Sequence, residues 1–188
     1  MNMNTSPLQK SLSRVFPNRA VATGVEVLFL LLLGMIAITL HSKLRIPMHL
    51  PGKQGVLFVA LIVTGRGLSR LPFAASVTCT GSALLLLTNW LGFHDPFISV
   101  TYILLGGVMD LIFSVSSKFS ERPWILAIAS GIAWMFIPLF RLLISWFVTI
   151  PMNSFSSGIA WPFITHLIFG FTGGLVGAGI LSLINLRK

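Results

Sequence analysis

The chain has 188 residues, of which 55% are hydrophobic and only 9% are charged, whereas a soluble domain carries about 25% charged residues. The deficit runs along the whole chain, so it excludes an ordinary soluble domain and predicts a polytopic membrane protein covered mostly by lipid. The formal net charge is +9, but the basic residues are divided among short segments, which argues against a nucleic-acid partner.

The length sets the fold class. It allows about six spans of roughly 20 residues with short connections and no separate soluble domain. We therefore predict an all-α fold, a compact bundle of six transmembrane helices in a single domain over residues 20–185. Cys79 is the single cysteine and the four histidines lack metal-ligand spacing, so we expect no disulfide, metal or cofactor.

Residues 1–19 are polar and basic, and Pro7 and Pro17 break any long helix there. We predict a cytoplasmic N-terminal tail. The apolar run over 21–40 that follows is as long as a full span and has no A-x-A-like cleavage site after it, so we interpret it as a retained helix rather than a signal peptide.

Five further apolar runs predict five more helices, each bounded by polar, glycine or proline-containing turns. The second helix is shorter than the roughly 20 residues that a full span needs. The six predicted helices cover residues 21–40, 55–66, 72–91, 97–115, 124–150 and 159–184.

The segment His41–Gly55, HSKLRIPMHLPGKQG, is the longest polar stretch between two apolar runs, and we predict that it is a structured external loop. Lysine and arginine mark the cytoplasmic side of a membrane. With both termini inside, nine of these residues are cytoplasmic, and the three outside, Lys43, Arg45 and Lys53, all belong to this loop. Three basic residues in one outside segment depart from this rule, which favours a functional role for the loop. The alternative is that three charges are simply tolerated there.

Four ionisable residues fall within predicted spans, where they are costly and usually face the bundle interior or a water-filled cavity. Glu26 and Asp110 lie in the cytoplasmic third of their helices, whereas Arg141 and His166 lie toward the outside. The carboxylates fit either a structural role, accepting hydrogen bonds from Arg66, Arg70 or neighbouring helices, or a proton or cation path. We favour the structural role.

The outer pair lies beneath the basic loop, so the sequence predicts an externally open pocket for a small, anionic or polar solute. A guanidinium can donate two parallel hydrogen bonds to a carboxylate or phosphate, and Pro138 should loosen the helix one turn before Arg141. The tryptophans would cover the apolar part of the solute. The predicted binding residues are His49, Lys53, Gln54, Arg141, Trp146, Trp161 and His166.

Four of these residues also have a purely structural interpretation. Trp146 and Trp161 suit the aromatic belt at the membrane interface, Arg141 can snorkel, and His166 can be a satisfied interior histidine. No catalytic residues are predicted, because PGKQG lacks phosphate-loop spacing and Ser156–Gly158 lacks a protease serine motif. We therefore expect that the protein is not an enzyme.

Small residues four apart let membrane helices approach closely. Ala20 and Gly24 have this spacing on the first helix, and Gly170/Gly174 and Gly173/Gly177 have it on the last. We predict that Ala20 and Gly24 form a docking face for another membrane subunit.

The stretch ITLHSKLRIPMHLPGKQGVLFVALIVTGRG resembles the corresponding region of the biotin-type S components, the substrate-binding membrane subunits of energy-coupling factor (ECF) transporters. In both, an apolar helix end leads to an Ile-Pro turn, a proline-containing loop with a glutamine, and a short second helix. The layout is similar over about residues 20–185. The Pro-Val-Pro-Ile-Thr-Leu-Gln-Thr signature is absent, so biotin is not inferred, and the MNMN start lacks the histidine of metal-type members.

The resemblance implies a substrate-binding subunit for uptake of a vitamin-like solute, located in the cytoplasmic membrane of a prokaryote. It implies partners as well: a transmembrane coupling subunit that would dock on helix 1, and ATP-binding cassette ATPases. Two other hypotheses remain open at this point. One is a self-sufficient secondary transporter or channel that uses Glu26 and Asp110, and the other is a non-catalytic assembly subunit of a membrane complex.

Overall fold

The computed structural model describes residues 7–44, 50–69, 71–93, 95–116, 123–148 and 158–186. Within these ranges the regular structure is all helical, with no β-strand. The helices are α1 (Pro7–Val15), α2 (Arg19–Lys43), α3 (Gly55–Leu68), α4 (Ala74–Leu87), α5 (Ile98–Ser116), α6 (Pro123–Trp134), α7 (Phe136–Phe147) and α8 (Ala160–Leu186).

The N-terminal segment, predicted as a tail without a long helix, contains the short amphipathic helix α1. Pro7 occupies its first position, where a missing backbone N–H costs nothing. The chain then turns at Pro17, and the Asn18 side chain accepts a hydrogen bond from the Ala20 backbone N–H at 2.9 Å, which caps α2. Helix α1 packs against α2, so the two prolines bound a helix rather than prevent one.

The longer helices form a ring in which each packs against the next, in the order α2, α4, α5, α6, α8, α3 and back to α2. Helix α3 also contacts α4 and α6, so it lies toward the middle of the bundle. Its Phe58, Val59 and Ile62 side chains are fully buried. Burying such side chains is worth about 1.5–3 kcal/mol each relative to exposure, which makes α3 the centre of the core.

In the part of the chain that the structure describes, four segments are long and apolar enough to cross a membrane: Arg19–Lys43, Ile98–Val115, Pro123–Phe147 and Ala160–Ile184. Helices α3 and α4 are apolar but have only 14 residues each. At 1.5 Å per residue each spans about 21 Å, which is less than the roughly 30 Å of a hydrocarbon core. The structure therefore supports four spans of the six that the sequence predicts.

The predicted fifth helix is interrupted at Met135, between α6 and α7. Pro138 is the cause, because its ring has no N–H to donate to the carbonyl of Trp134 and clashes with it. The neighbouring backbone bonds are stretched, with Met135 N to Gly131 O at 3.2 Å and Leu139 N to Met135 O at 3.3 Å. The sequence prediction that Pro138 loosens this helix agrees with the break.

Glycines set the closest helix contacts. A Cβ at Gly173 would meet the α3 backbone at 2.6 Å, and one at Gly174 would meet the α6 backbone at 2.7 Å. The two small-residue faces predicted on the last helix therefore pack against two different neighbours. Gly34 of α2 similarly packs on α4, where the Ser82 hydroxyl donates a hydrogen bond to the Gly34 carbonyl at 2.8 Å.

Candidate functional site

A cavity of about 310 Å³ lies where α2 ends and α3 begins. Side chains from five helices and from two connecting segments form its wall, so it belongs to the bundle as a whole. The lining residues that the structure describes are His41, Leu50, Pro51, Gly52, Lys53, Gln54, Phe93, Ile98, Thr101, Tyr102, Trp134, Ile137, Pro138, Arg141, Pro162 and His166.

Arg141 brings a permanent positive charge to this cavity. Its Nη2 atom lies 3.4 Å from Oδ2 of Asp95, which stands in the turn before α5. The other carboxylate oxygen, Oδ1, accepts a hydrogen bond from the Phe97 backbone N–H at 3.0 Å. Asp95 thus stabilises the turn before α5 and orients the guanidinium at the same time. Both side chains are about 30% exposed, Arg141 at 30% and Asp95 at 27%, so this ion pair stabilises the fold by about 1 kcal/mol or less.

His166 is a buried part of the cavity wall, on α8. Its Nδ1 lies 2.7 Å from the Pro162 carbonyl oxygen. Because a carbonyl can only accept, Nδ1 carries the hydrogen in this bond, which fixes the ring and leaves Nε2 outside it. The imidazole stacks on the indole of Trp134, with centroids 5.9 Å apart and an interplanar angle of 27°.

The segment 50–54 covers the cavity and is held by contacts to α8 and α6. Gly52 has φ +77°, a left-handed conformation that glycine adopts without strain. A Cβ at Gly52 would lie 2.8 Å from Nδ1 of His166, and one at Gly55 would overlap the Trp134 indole. The Gly55 N–H donates to the Gly52 carbonyl at 2.8 Å. Close backbone approach therefore fixes the positions of Lys53 and Gln54 in the wall.

The apolar side of the cavity is a cluster of rings centred on His41 at the end of α2. Four rings lie around its imidazole at centroid distances of 5.8 to 6.4 Å: Phe58, Phe93, Tyr102 and Trp134. The Tyr102 hydroxyl is 3.4 Å from His41 Nε2. Such a set of flat, apolar faces suits a planar or hydrocarbon group of a ligand.

Two polar atoms in this cluster, Trp134 Nε1 and His41 Nδ1, are buried without a hydrogen-bond partner among the described residues. The Gln54 backbone lies close to the His41 ring, but the pair does not meet hydrogen-bond geometry. Unsatisfied buried donors are uncommon in native structures, and each costs about 1–3 kcal/mol. Both residues line the cavity, so part of this cost falls there.

The structure brings four of the predicted binding residues together: Lys53, Gln54, Arg141 and His166 all line the cavity. His49 lies outside the described residues. Trp146 and Trp161 do not line the cavity and are 71% and 43% exposed. Each stands five residues from a cavity residue on its helix, Trp146 from Arg141 and Trp161 from His166. Five residues correspond to a rotation of about 140° at 3.6 residues per turn.

Sequence reasoning missed the residues that make the apolar wall and the ion pair. Trp134 takes the place expected of Trp146 and Trp161, and its position deep in a helix was a signal against the interfacial belt. Tyr102 is the only tyrosine in the chain. Nothing in the sequence separates Asp95 from any other turn aspartate.

The predicted inner carboxylates have structural partners away from the cavity. Asp110 accepts hydrogen bonds from the backbone N–H groups of Ala75 at 3.1 Å and Ser76 at 2.7 Å, at the first turn of α4. Its Oδ1 also lies 3.5 Å from Nε of Arg66. Glu26 is 1% exposed and accepts from the Ser69 hydroxyl at 2.6 Å. Arg70, the other predicted partner, lies outside the described residues.

The predicted docking face on the first helix is on the surface. Ala20 and Gly24 are both exposed, and a Cβ at Gly24 would meet nothing within 4 Å. Leu28, Leu32 and Ile36 continue the exposed strip along α2. Lipid covers such a strip as readily as a partner does.

Comparison with protein-family models, curated proteins and solved structures finds no match to this chain. The site therefore has to be interpreted from its own chemistry. Among the described residues no group of three or more histidine, cysteine, aspartate or glutamate side chains is placed to hold a metal ion. What the cavity offers is a guanidinium, an ammonium, an amide and a wall of aromatic rings.

Proposed function

We propose that this chain is a membrane subunit that binds a small anionic solute with an apolar part, in the cavity below segment 50–54. The observation that carries the proposal is the convergence of Lys53, Arg141 and His166, from three separate segments, on one cavity with an aromatic wall. Intramembrane charge is costly unless it faces a polar cavity or a partner. Arg141, which pairs with Asp95, lies on α7, and Lys53 lies on the covering segment; both line the same cavity.

The solute is held by its charge and by its apolar surface. Arg141 donates to a carboxylate or phosphate, and Lys53 adds a second positive charge on the covering segment. The ring cluster of His41, Tyr102 and Trp134 takes the apolar part. Small-molecule sites usually combine a mostly apolar wall with a few polar anchors in this way, and a volume of about 310 Å³ fits a vitamin-sized molecule.

In this proposal the solute is taken up as in ECF transporters. The chain has the role of their S component, which it resembles. In this proposal α3 and α4 complete a six-helix membrane domain with their flanking turns, both termini are cytoplasmic, and the cavity opens outward. The exposed Ala20 and Gly24 on α2 receive a transmembrane coupling subunit. ATP-binding cassette ATPases supply the energy.

The alternative of ion-coupled transport through Glu26 and Asp110 has less support. Asp110 is engaged by two backbone N–H groups and Arg66, and Glu26 by Ser69. Carboxylates that hold a helix start and a turn are structural. Uptake by the chain alone in proteoliposomes, driven by an ion gradient, would favour this alternative.

The first test is a thermal-shift screen of the purified chain against carboxylated and phosphorylated metabolites. A ligand of the cavity raises the melting temperature of the wild type but not of Arg141→Ala or Lys53→Ala. Arg14→Ala is the matched control, because Arg14 is an exposed arginine on α1 and its loss should leave the shift intact. Equal stabilisation of all four proteins would remove the cavity as the site, and a screen without any hit favours an assembly subunit.

A further inference from the structure

A second concave region lies next to the cavity, on the surface of the bundle. It is an apolar groove of about 370 Å³ between α5 and α7, and we call it the α5–α7 groove. Its lining side chains contain no ionisable group and only one hydroxyl. They are Phe97, Val100, Thr101, Leu104, Phe140, Leu143, Ile144, Phe147 and Val148.

Thr101 lines both the cavity and the α5–α7 groove. It is 3% exposed, and its hydroxyl donates to the Phe97 carbonyl at 3.0 Å. The two spaces therefore share the Thr101 side chain as part of their walls. Helix α7 is shared in the same way, because Arg141 faces the cavity while the preceding residue, Phe140, faces the groove.

The groove composition argues against a protein helix as its occupant. Helices that pack closely in membranes do so through glycine, alanine, serine and threonine. The α5–α7 groove instead presents bulky side chains, three of them phenylalanines. An irregular channel between large apolar side chains suits a flexible hydrocarbon chain, and Arg141 beside it suits an anionic head.

We propose that the cavity and the α5–α7 groove form one site for a single-chain anionic amphiphile. Its head lies against Arg141 in the cavity, and its hydrocarbon tail passes Thr101 to lie in the groove. This inference rests on the proposed function and names the class of its solute.

The test compares dodecanoate and dodecyl phosphate with their four-carbon homologues, butyrate and butyl phosphate, on the full chain in lipid nanodiscs. Leu104→Trp fills the groove. Leu84→Trp is the matched control, because both leucines are 47% exposed but Leu84 lies on α4 away from the groove. Two buried methylenes are worth about tenfold in affinity, so Leu104→Trp should lose at least that factor for the long homologue alone.

The outcomes separate the two proposals. Nonspecific partition into the nanodisc raises the affinity of long homologues equally in all three proteins, so an equal chain-length advantage in Leu104→Trp overturns the groove. If the chain-length advantage is equal in this way but the short homologues bind in a manner that depends on Arg141, the groove is overturned and the proposed cavity remains. Failure of every homologue to bind overturns the amphiphile and leaves the proposed function to the outcome of the thermal-shift screen. A dimer that Leu104→Trp disperses, with ligand affinity unchanged, assigns the groove to a second copy and overturns the amphiphile.

Discussion

Gly52 lies directly against the imidazole of His166, so that a Cβ on this glycine would come within 2.8 Å of the ring. One residue of the covering segment is thereby fixed to α8. Because His166 in turn stacks on Trp134, the segment, α8 and α6 form one continuous contact around the cavity. The position of Lys53, the next residue, depends on this contact.

Gly52→Ala should therefore displace the covering segment and weaken solute binding. Gly92→Ala is a matched control, because Gly92 has a similar φ of +72° and no atom within 4 Å of a built Cβ. Both substitutions bear the left-handed backbone cost of about 1–2 kcal/mol, but only Gly52→Ala adds the collision with His166. Binding isotherms of a stabilising solute should show a loss in Gly52→Ala alone; equal affinities would mean that the segment does not contribute to the site.

Asp95→Asn should tighten the binding of an anionic solute a few-fold. The amide keeps the oxygen that accepts from the Phe97 N–H but removes the negative charge beside Arg141, and a like charge near the anion opposes binding. The gain should shrink as salt is added. Asp95→Ala serves for comparison, since it also removes the acceptor of the Phe97 N–H in the turn before α5, a hydrogen bond worth about 0.5–1.5 kcal/mol. Weaker binding in Asp95→Asn would show that Asp95 helps binding by orienting Arg141 more than its negative charge opposes the anion.

Pro138→Ala should separate stability from binding. Alanine restores an N–H that can donate to the Trp134 carbonyl, so α6 and α7 can join into one helix, and the protein should be as stable as the wild type or more so. The straightened helix turns Arg141 away from Asp95 and the cavity, and affinity falls. Amide hydrogen exchange at 135–139 measures the first effect and solute titration the second. Pro96→Ala, in the turn before α5, should change neither the hydrogen exchange at 135–139 nor the solute affinity. Unchanged affinity in Pro138→Ala would show that the break between α6 and α7 does not contribute to solute binding.

Asp110→Asn should lower stability and leave solute affinity unchanged. The asparagine loses the charge that pairs with Arg66 and one of the acceptors for the α4 N–H groups, a loss of about 1–3 kcal/mol for buried hydrogen bonds to a charged group. Chemical or thermal unfolding measures the first part and titration the second. A variant of normal stability that no longer supports uptake would instead point to an ion path through Asp110.

Much of the fold follows from the sequence because the hydropathy of a segment indicates whether it can lie within a membrane. The apolar runs predict the long helices, and Pro138 predicts the break in the fifth. The limits lie where contacts rather than composition decide the outcome. Helix α1 forms between two prolines because Asn18 caps the next helix and α1 packs on it. The length of α3 follows the prediction closely, whereas α4 is shorter than predicted because turns at both of its ends, which periodicity does not reveal, limit it.

The polar half of the cavity was predictable, and the apolar half was not. Lys53, Arg141 and His166 stand out because charge within or beside an apolar run is rare and costly. Aromatic residues have no such signature, since they are frequent at lipid faces, in belts and in cores alike. In the structure the rotation of each helix buries Trp134, which is 1% exposed, and leaves Trp146 71% exposed. That rotation is fixed by packing between helices.

The most direct test of the account is the labelling of Gln54→Cys by a membrane-impermeant thiol reagent in intact cells. The buried Cys79 is replaced by serine in this background so that a single thiol remains. We predict that the cysteine reacts from outside and that a solute found in the thermal-shift screen protects it, with protection lost in Arg141→Ala. Labelling only after the membrane is permeabilised, or labelling that saturating solute does not slow, would contradict an outward-facing cavity that binds the solute.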